Sequence, residues 1–102
     1  MIGIEPKFRT AQTRWYKRPV KGGVYLAALD PSLGTGGDYA SIEVYEATTM
    51  EQVAEWQHNK TPINRQVKVL QDILTYIAYE TIMILQNLLM KQRYIGLWKI
   101  IL

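Results

Sequence analysis

The chain has 102 residues, of which 48% are hydrophobic and 21% charged, with a net charge of +3 and no cysteine. This suffices for one small domain with a modest core, and it excludes a disulfide framework and any thiolate metal site. No run is long and apolar enough to span a bilayer, because Gln86, Asn87 and Lys91 interrupt the C-terminal stretch, and Met1–Thr10 lacks the apolar core of a signal peptide.

The charge is unevenly placed along the chain. Residues 1–22 hold Lys7, Arg9, Arg14, Lys17, Arg18 and Lys21 against Glu5 alone. From Gly23 to Glu80 eight acids face Lys60, Arg65 and Lys68, and from Thr81 onward Lys91, Arg93 and Lys99 stand with no acid. Segment 1–23, broken by Pro6 and Pro19, reads as a solvated, loosely ordered basic lead-in arm. The alternative is a grip on nucleic-acid phosphates through Arg14, Lys17 and Arg18, with Trp15 and Tyr16 beside them.

Val24–Leu29 is a continuous apolar run, which predicts a central strand buried on both faces. It ends on Asp30. In the stretch PSLGTGGDY that follows, Pro31 stops the strand and Gly34, Gly36 and Gly37 permit positive φ. Tyr39–Glu46 alternates, with Ala40, Ile42 and Val44 on one face and Ser41, Glu43 and Tyr45 on the other, so it predicts a second strand hairpinned to the first. Gln52–His58 alternates again, with Ala54 and Trp56 sharing a face, as a third strand. Thr61 then reads as a helix N-cap and Pro62 as the first helical residue, and Ile63, Val67, Leu70, Leu74 and Ile77 form one apolar stripe. The predicted class is α/β, with three antiparallel strands followed by a helix over residues 24–80.

Asp30 carries the most chemical information. A carboxylate at a strand tip can hold a hard divalent cation such as Mg²⁺, and Asp38, just past the glycines, can approach the same point. Turn capping by an Asp before Pro and Gly is an equally good reading of the spacing. Two carboxylates also fall short of the about three or four converging acids that a two-metal nuclease requires. The glycine-rich turn is not a phosphate loop: no Gly-Lys-Ser/Thr sequence closes it, and a strand follows it, not a helix. His58, the sole histidine, has no nucleophile paired with it, and Trp56 and Tyr45 read as packing residues.

The stretch YLAALDPSLGTGGDYASIEV, followed by EQVAEWQHNKTP and an amphipathic helix, resembles the start of the nuclease domain of the large terminase subunit of tailed bacteriophages. EPKFRTAQTRWYKRPVKGG resembles the segment leading into that domain, so the likeness covers Glu5 to Glu80. The resemblance implies a partial RNase H-like fold in which three antiparallel strands precede a helix and then a parallel strand. It implies two Mg²⁺ or Mn²⁺ ions that hydrolyse phosphodiester bonds of double-stranded viral DNA. Asp30 matches the first catalytic, metal-binding acid, and Asp38 a recurrent Asp of the GGDY turn. The implied partners are double-stranded DNA, the portal and the small terminase subunit, and the implied location is the host cytoplasm, with no membrane. The chain carries no Walker-type motif for the family's ATPase, and the acids that end the next strand and follow further downstream are missing. The fragment is therefore expected to be inactive alone. The competing expectation is a noncatalytic α+β nucleic-acid-binding module that uses the basic arm.

Past Glu80 the resemblance stops, and residues 81–102 read as an atypical apolar helical tail without an acid. A helix packed on the sheet or lying on a membrane surface is one reading of it. A shifted reading frame is the other. If the third base of each codon joins the first two of the next, Trp98–Lys99 must encode Glu, Met83–Ile84 Asp and Met90–Lys91 Glu, whatever synonymous codons are used. The expectation is a net loss of one nucleotide, or gain of two, near codons 78–82.

Overall fold

A computed structural model describes residues 4–82. The strands are β1 (Phe8–Thr10), β2 (Thr13–Trp15), β3 (Tyr25–Asp30), β4 (Ala40–Glu46) and β5 (Gln52–His58), and the helix is α1 (Ile63–Thr81). All strand pairings are antiparallel, in the order β1-β2-β5-β4-β3. The described part is thus a small α/β unit with one five-stranded sheet and one helix. Its helix is not long and apolar enough to cross a membrane.

Register explains the core. Ala27 pairs Val44, Val44 pairs Ala54, Ala54 pairs Trp15, and Trp15 pairs Phe8, so one row crosses the whole sheet. Leu29, Ile42 and Trp56 make the row beside it. Strand side chains alternate, so both rows share a face, and α1 covers that face with Ile73, Val69, Leu70, Tyr76 and Ile77. Ile42 and Val44 are completely buried there, and each such burial stabilises by about 1.5–3 kcal/mol. The β4–β5 turn is closed by Glu46, whose carboxylate accepts from the backbone N–H groups of Thr48 and Thr49 and from the Thr49 hydroxyl. Those donors hold its carboxyl down at about 2.

The three strands and the helix read from residues 24–80 are present in that order, and β3 and β4 are hairpinned as expected. Four details differ. First, the apolar run before Asp30 is not a central strand buried on two faces. β3 is an edge strand among the described residues, with Tyr25, Ala27 and Leu29 half-buried and Leu26 51% exposed. A sheet covered by a helix on one side buries alternate residues only, and an unbroken apolar run does not reveal this.

Second, the basic arm is not a loose lead-in. Residues 8–15 form a hairpin that adds two strands, and Trp15, Tyr16 and Pro19 are buried. The sheet therefore runs across the expected boundary at residues 23 and 24.

Third, Thr61 does not cap α1. Pro62 occupies the cap position without a side-chain hydrogen bond, and its carbonyl accepts from Arg65 and Gln66. Fourth, the buried face of α1 overlaps the expected stripe only in part, at Leu70 and Ile77. Gln66, Ile73 and Ala78 are buried, whereas Ile63 and Val67 are 50% and 41% exposed. The helix ends at Thr81, and residues 83–102 of the expected apolar tail lie outside the described residues.

Candidate functional site

The site begins where β3 ends. Asp30 is the last ladder residue of that strand, paired with Ser41 of β4, and its position is set by the register of the hairpin. The loop from Pro31 to Tyr39 then doubles back, using positive φ at Gly34 and Gly36. Its return limb brings Asp38 onto a shallow cavity of about 310 Å³ that Pro31, Ser32, Leu33 and Ile63 also line. Asp38 is thus carried back beside the two residues that follow Asp30. Both carboxylates are exposed.

The loop is fastened to the β5–α1 connection at three points. A Cβ on Gly34 would lie 2.3 Å from the Thr61 carbonyl oxygen, so only glycine fits this approach. Gly36 N–H donates to the Asn59 carbonyl at 2.8 Å, and Asn59 Nδ2 donates to the Gly36 carbonyl at 3.1 Å. Gln66, fully buried on α1, accepts from Ser32 N–H through Oε1 at 3.3 Å. Its Nε2 donates to the carbonyls of Ser32 at 2.8 Å and Thr61 at 2.7 Å. His58 steadies the connection itself. Its Nδ1 accepts from Lys60 N–H at 3.1 Å, which makes the Thr61 hydroxyl, 2.8 Å away, a donor to the same atom.

Gln66 is the residue that the sequence reading missed. It interrupts what is otherwise a helical-period row, Val69, Ile73 and Tyr76 in the sheet-facing direction, and a lone amide in such a row is the available signal.

Asp38 lines the loop cavity and Asp30 does not, so the two carboxylates are separate, exposed oxygen donors. That suits a hard cation that keeps part of its hydration shell, Mg²⁺ or Mn²⁺, better than a softer metal. It does not suit a two-metal centre, because among the described residues no three or more His, Asp or Glu side chains gather to hold an ion.

The second set of site residues, on the arm, is placed differently. Arg14 lies 3.5 Å from Glu55, Lys17 2.7 Å from Glu51, and Arg18 3.1 Å from Glu80. Arg18 also sits over the Phe8 ring at 5.8 Å. Trp15 and Tyr16 are buried and offer no face to a base, and the Tyr16 hydroxyl donates to Glu55. Burial, then the Glu55 hydrogen bond, raises the Tyr16 pKa. Any phosphate reaching these cations competes with an acid already in place. Glu51→Gln and Glu80→Gln, which release Lys17 and Arg18, are expected to tighten binding of duplex DNA by roughly two- to fivefold per pair, the worth of an exposed ion pair. Filter binding across a salt series reads this. Unchanged affinity in both variants would remove the arm from consideration as a DNA contact.

Compared with protein-family models, curated proteins and solved structures, the chain has no match.

Proposed function

We propose that the chain is a fragment of the nuclease domain of a tailed-bacteriophage large terminase subunit, with a partial RNase H-like fold. The observation that carries this reading is the position of Asp30. It ends β3, the first of three consecutive antiparallel strands ordered β5-β4-β3, and α1 follows β5 and packs across one face of them. The other side of β3 is unpaired among the described residues, which leaves an edge open for the parallel strand that the resemblance implies after the helix. The loop also returns Asp38 beside Pro31 and Ser32, the residues that follow Asp30 in the chain. The β1–β2 hairpin is an addition that the resemblance did not anticipate.

In this reading Asp30 is the first metal-binding acid, and Asp38 assists it. Mg²⁺ or Mn²⁺, when bound, supplies activation of water and stabilisation of the leaving oxygen in phosphodiester hydrolysis. The protein's part is to hold Asp30 at the end of the β3 ladder and Asp38 in the loop that follows it. Double-stranded DNA is the substrate of the intact domain, with the portal and small terminase subunit as partners in the host cytoplasm. The isolated chain lacks the acids needed to complete the centre.

The test is Mn²⁺ binding by the full chain, followed through the electron paramagnetic resonance of the free ion. One weakly bound ion is expected, lost in Asp30→Asn and weakened in Asp38→Asn. Absence of saturable binding, or binding indifferent to Asp30→Asn, overturns the reading.

A further inference from the structure

We propose that the cleft between the β1–β2 turn and α1 binds a small aromatic carboxylate, with its ring against Trp56, Ile73 and Tyr76 and its anionic end at Arg65. Neither Asp30 nor Asp38 lines this cleft, and its occupant is independent of the terminase reading.

Shape and lining come first. The cleft has a volume of about 340 Å³. That exceeds the roughly 150 Å³ of a dry apolar cavity able to take up benzene, and it falls within the about 300–1,000 Å³ typical of small-molecule sites. Residues 10–13, the β1–β2 turn, form one wall, and α1 forms the other. The floor is Trp56 and Ile73, each 2% exposed, and Val69 and Tyr76 extend it. Such a floor takes an apolar body, and the two aromatic rings in it favour a flat one.

The polar groups define the other end of the ligand. Thr13 is 3% exposed, and its hydroxyl makes no hydrogen bond to another described residue. The indole N–H of Trp56 makes none either. The nearby Trp15 does find a partner, the Thr10 hydroxyl at 2.7 Å. The β2–β5 register, continued one step past Arg14–Glu55, sets Thr13 opposite Trp56, so the two spare donors share one end of the cleft. Buried donors normally have a partner, and here a bound acceptor supplies it.

Charge completes the assignment. Arg65, Val69, Ile73 and Tyr76 recur at helical spacing, so they form one row along the cleft, and Arg65 opens it. Lys68 is paired with Asp72 at 2.9 Å, so those two rim charges offset each other. Arg65 is exposed and makes no ion pair with another described residue. The rim therefore carries one uncompensated positive charge, which matches a monoanion better than a phosphate monoester with its charge of about −2. A carboxylate also accepts several hydrogen bonds at once, from the guanidinium, the hydroxyl and the indole.

The experiment titrates 2-naphthoate, its neutral amide 2-naphthamide, and octanoate into the full ¹⁵N-labelled chain, and follows the Trp56 indole N–H by NMR. Naphthoate is expected to bind saturably and to shift that resonance, with naphthamide and octanoate each about tenfold weaker. Arg65→Gln, an exposed change that leaves the core intact, is expected to weaken naphthoate about tenfold and naphthamide not at all, the worth of one charge-assisted hydrogen bond. Asp72→Asn, which releases Lys68, is expected to tighten naphthoate by roughly two- to fivefold. Absence of saturable naphthoate binding overturns the proposal. So does wild-type affinity in Arg65→Gln, or a naphthamide or octanoate affinity equal to that of naphthoate. No metal enters this test, so the reading of Asp30 stands or falls on its own experiment.

Discussion

Trp15→Ala is expected to abolish cooperative folding, although its position in the sequence suggests an expendable arm. The indole is completely buried. It stacks on Phe8 with ring centroids 5.9 Å apart, meets Tyr76 of α1 edge-on at 5.0 Å, and donates from Nε1 to the Thr10 hydroxyl at 2.7 Å. One side chain therefore joins β1, β2 and the helix. Removing it costs about 3–5 kcal/mol, against a total of about 5–15 kcal/mol for a domain, with small ones at the low end. Urea denaturation at 25 °C, followed by circular dichroism, should show no folded baseline for the alanine variant. Trp15→Phe keeps one aromatic ring but loses part of the indole's packing and the bond to Thr10, so its cost should exceed the about 1 kcal/mol of the hydrogen bond and stay below that of the alanine variant. If deletion of residues 1–23 left the transition of the wild type intact, the hairpin would be a passenger and β3–β5 with α1 would suffice alone.

The contrast between the hairpin and the rest shows what the sequence made legible. β4 carries clean period-2 alternation, whereas β5 buries four residues in a row, Val53 to Trp56, and is legible from Ala54 and Trp56 sharing a face. Asp30 was placed correctly at a strand end because Pro31 cannot continue a ladder. β1 and β2 also alternate, with Phe8, Thr10, Thr13 and Trp15 toward the helix and Arg9 and Arg14 on the other face. Two things hid them. Each strand is three residues long, and their turn is made by Ala11 and Gln12, with Ala11 at φ 52, where glycine or asparagine would have signalled a hairpin. Of the cations that signal a solvated segment in the sequence, Arg14 turns out to lie on the outward row of β2 and Lys17 and Arg18 just past it, paired with Glu55, Glu51 and Glu80 from far along the chain.

The candidate site was legible in part for a related reason. Asp30 and Asp38 stand out because charge at a strand tip and after glycines is locally conspicuous. The fastening of the loop was not, because it depends on Ser32 meeting Gln66 across 34 positions of sequence. Periodicity placed the helix and half of its buried face: Leu70 and Ile77 of the expected stripe pack on the core, whereas Ile63 and Val67 are exposed and Gln66 and Ile73 are buried instead. A buried amide becomes tolerable only when all its bonds are made, and no local pattern records that.

Plasmid DNA incubated with the full chain and Mg²⁺ or Mn²⁺ is expected to remain supercoiled. In-line displacement by two metals needs ions about 3.5–4 Å apart, one on the attacking and one on the leaving oxygen. Asp30 and Asp38 are exposed carboxylates at the two ends of one loop, and no group of three candidate ligands exists among the described residues. Loss of one electrostatic stabiliser of a transition state costs about 3–4 kcal/mol, or 10²–10³ in rate. Without the second ion, the stabilisation of one oxygen and the alignment of the other are both lost, so the two deficits compound and cleavage falls to background. Conversion of supercoiled to nicked plasmid on a gel reads the result over hours. Mn²⁺-dependent nicking that Asp30→Ala abolishes would mean that the chain completes its acid set with residues beyond this loop.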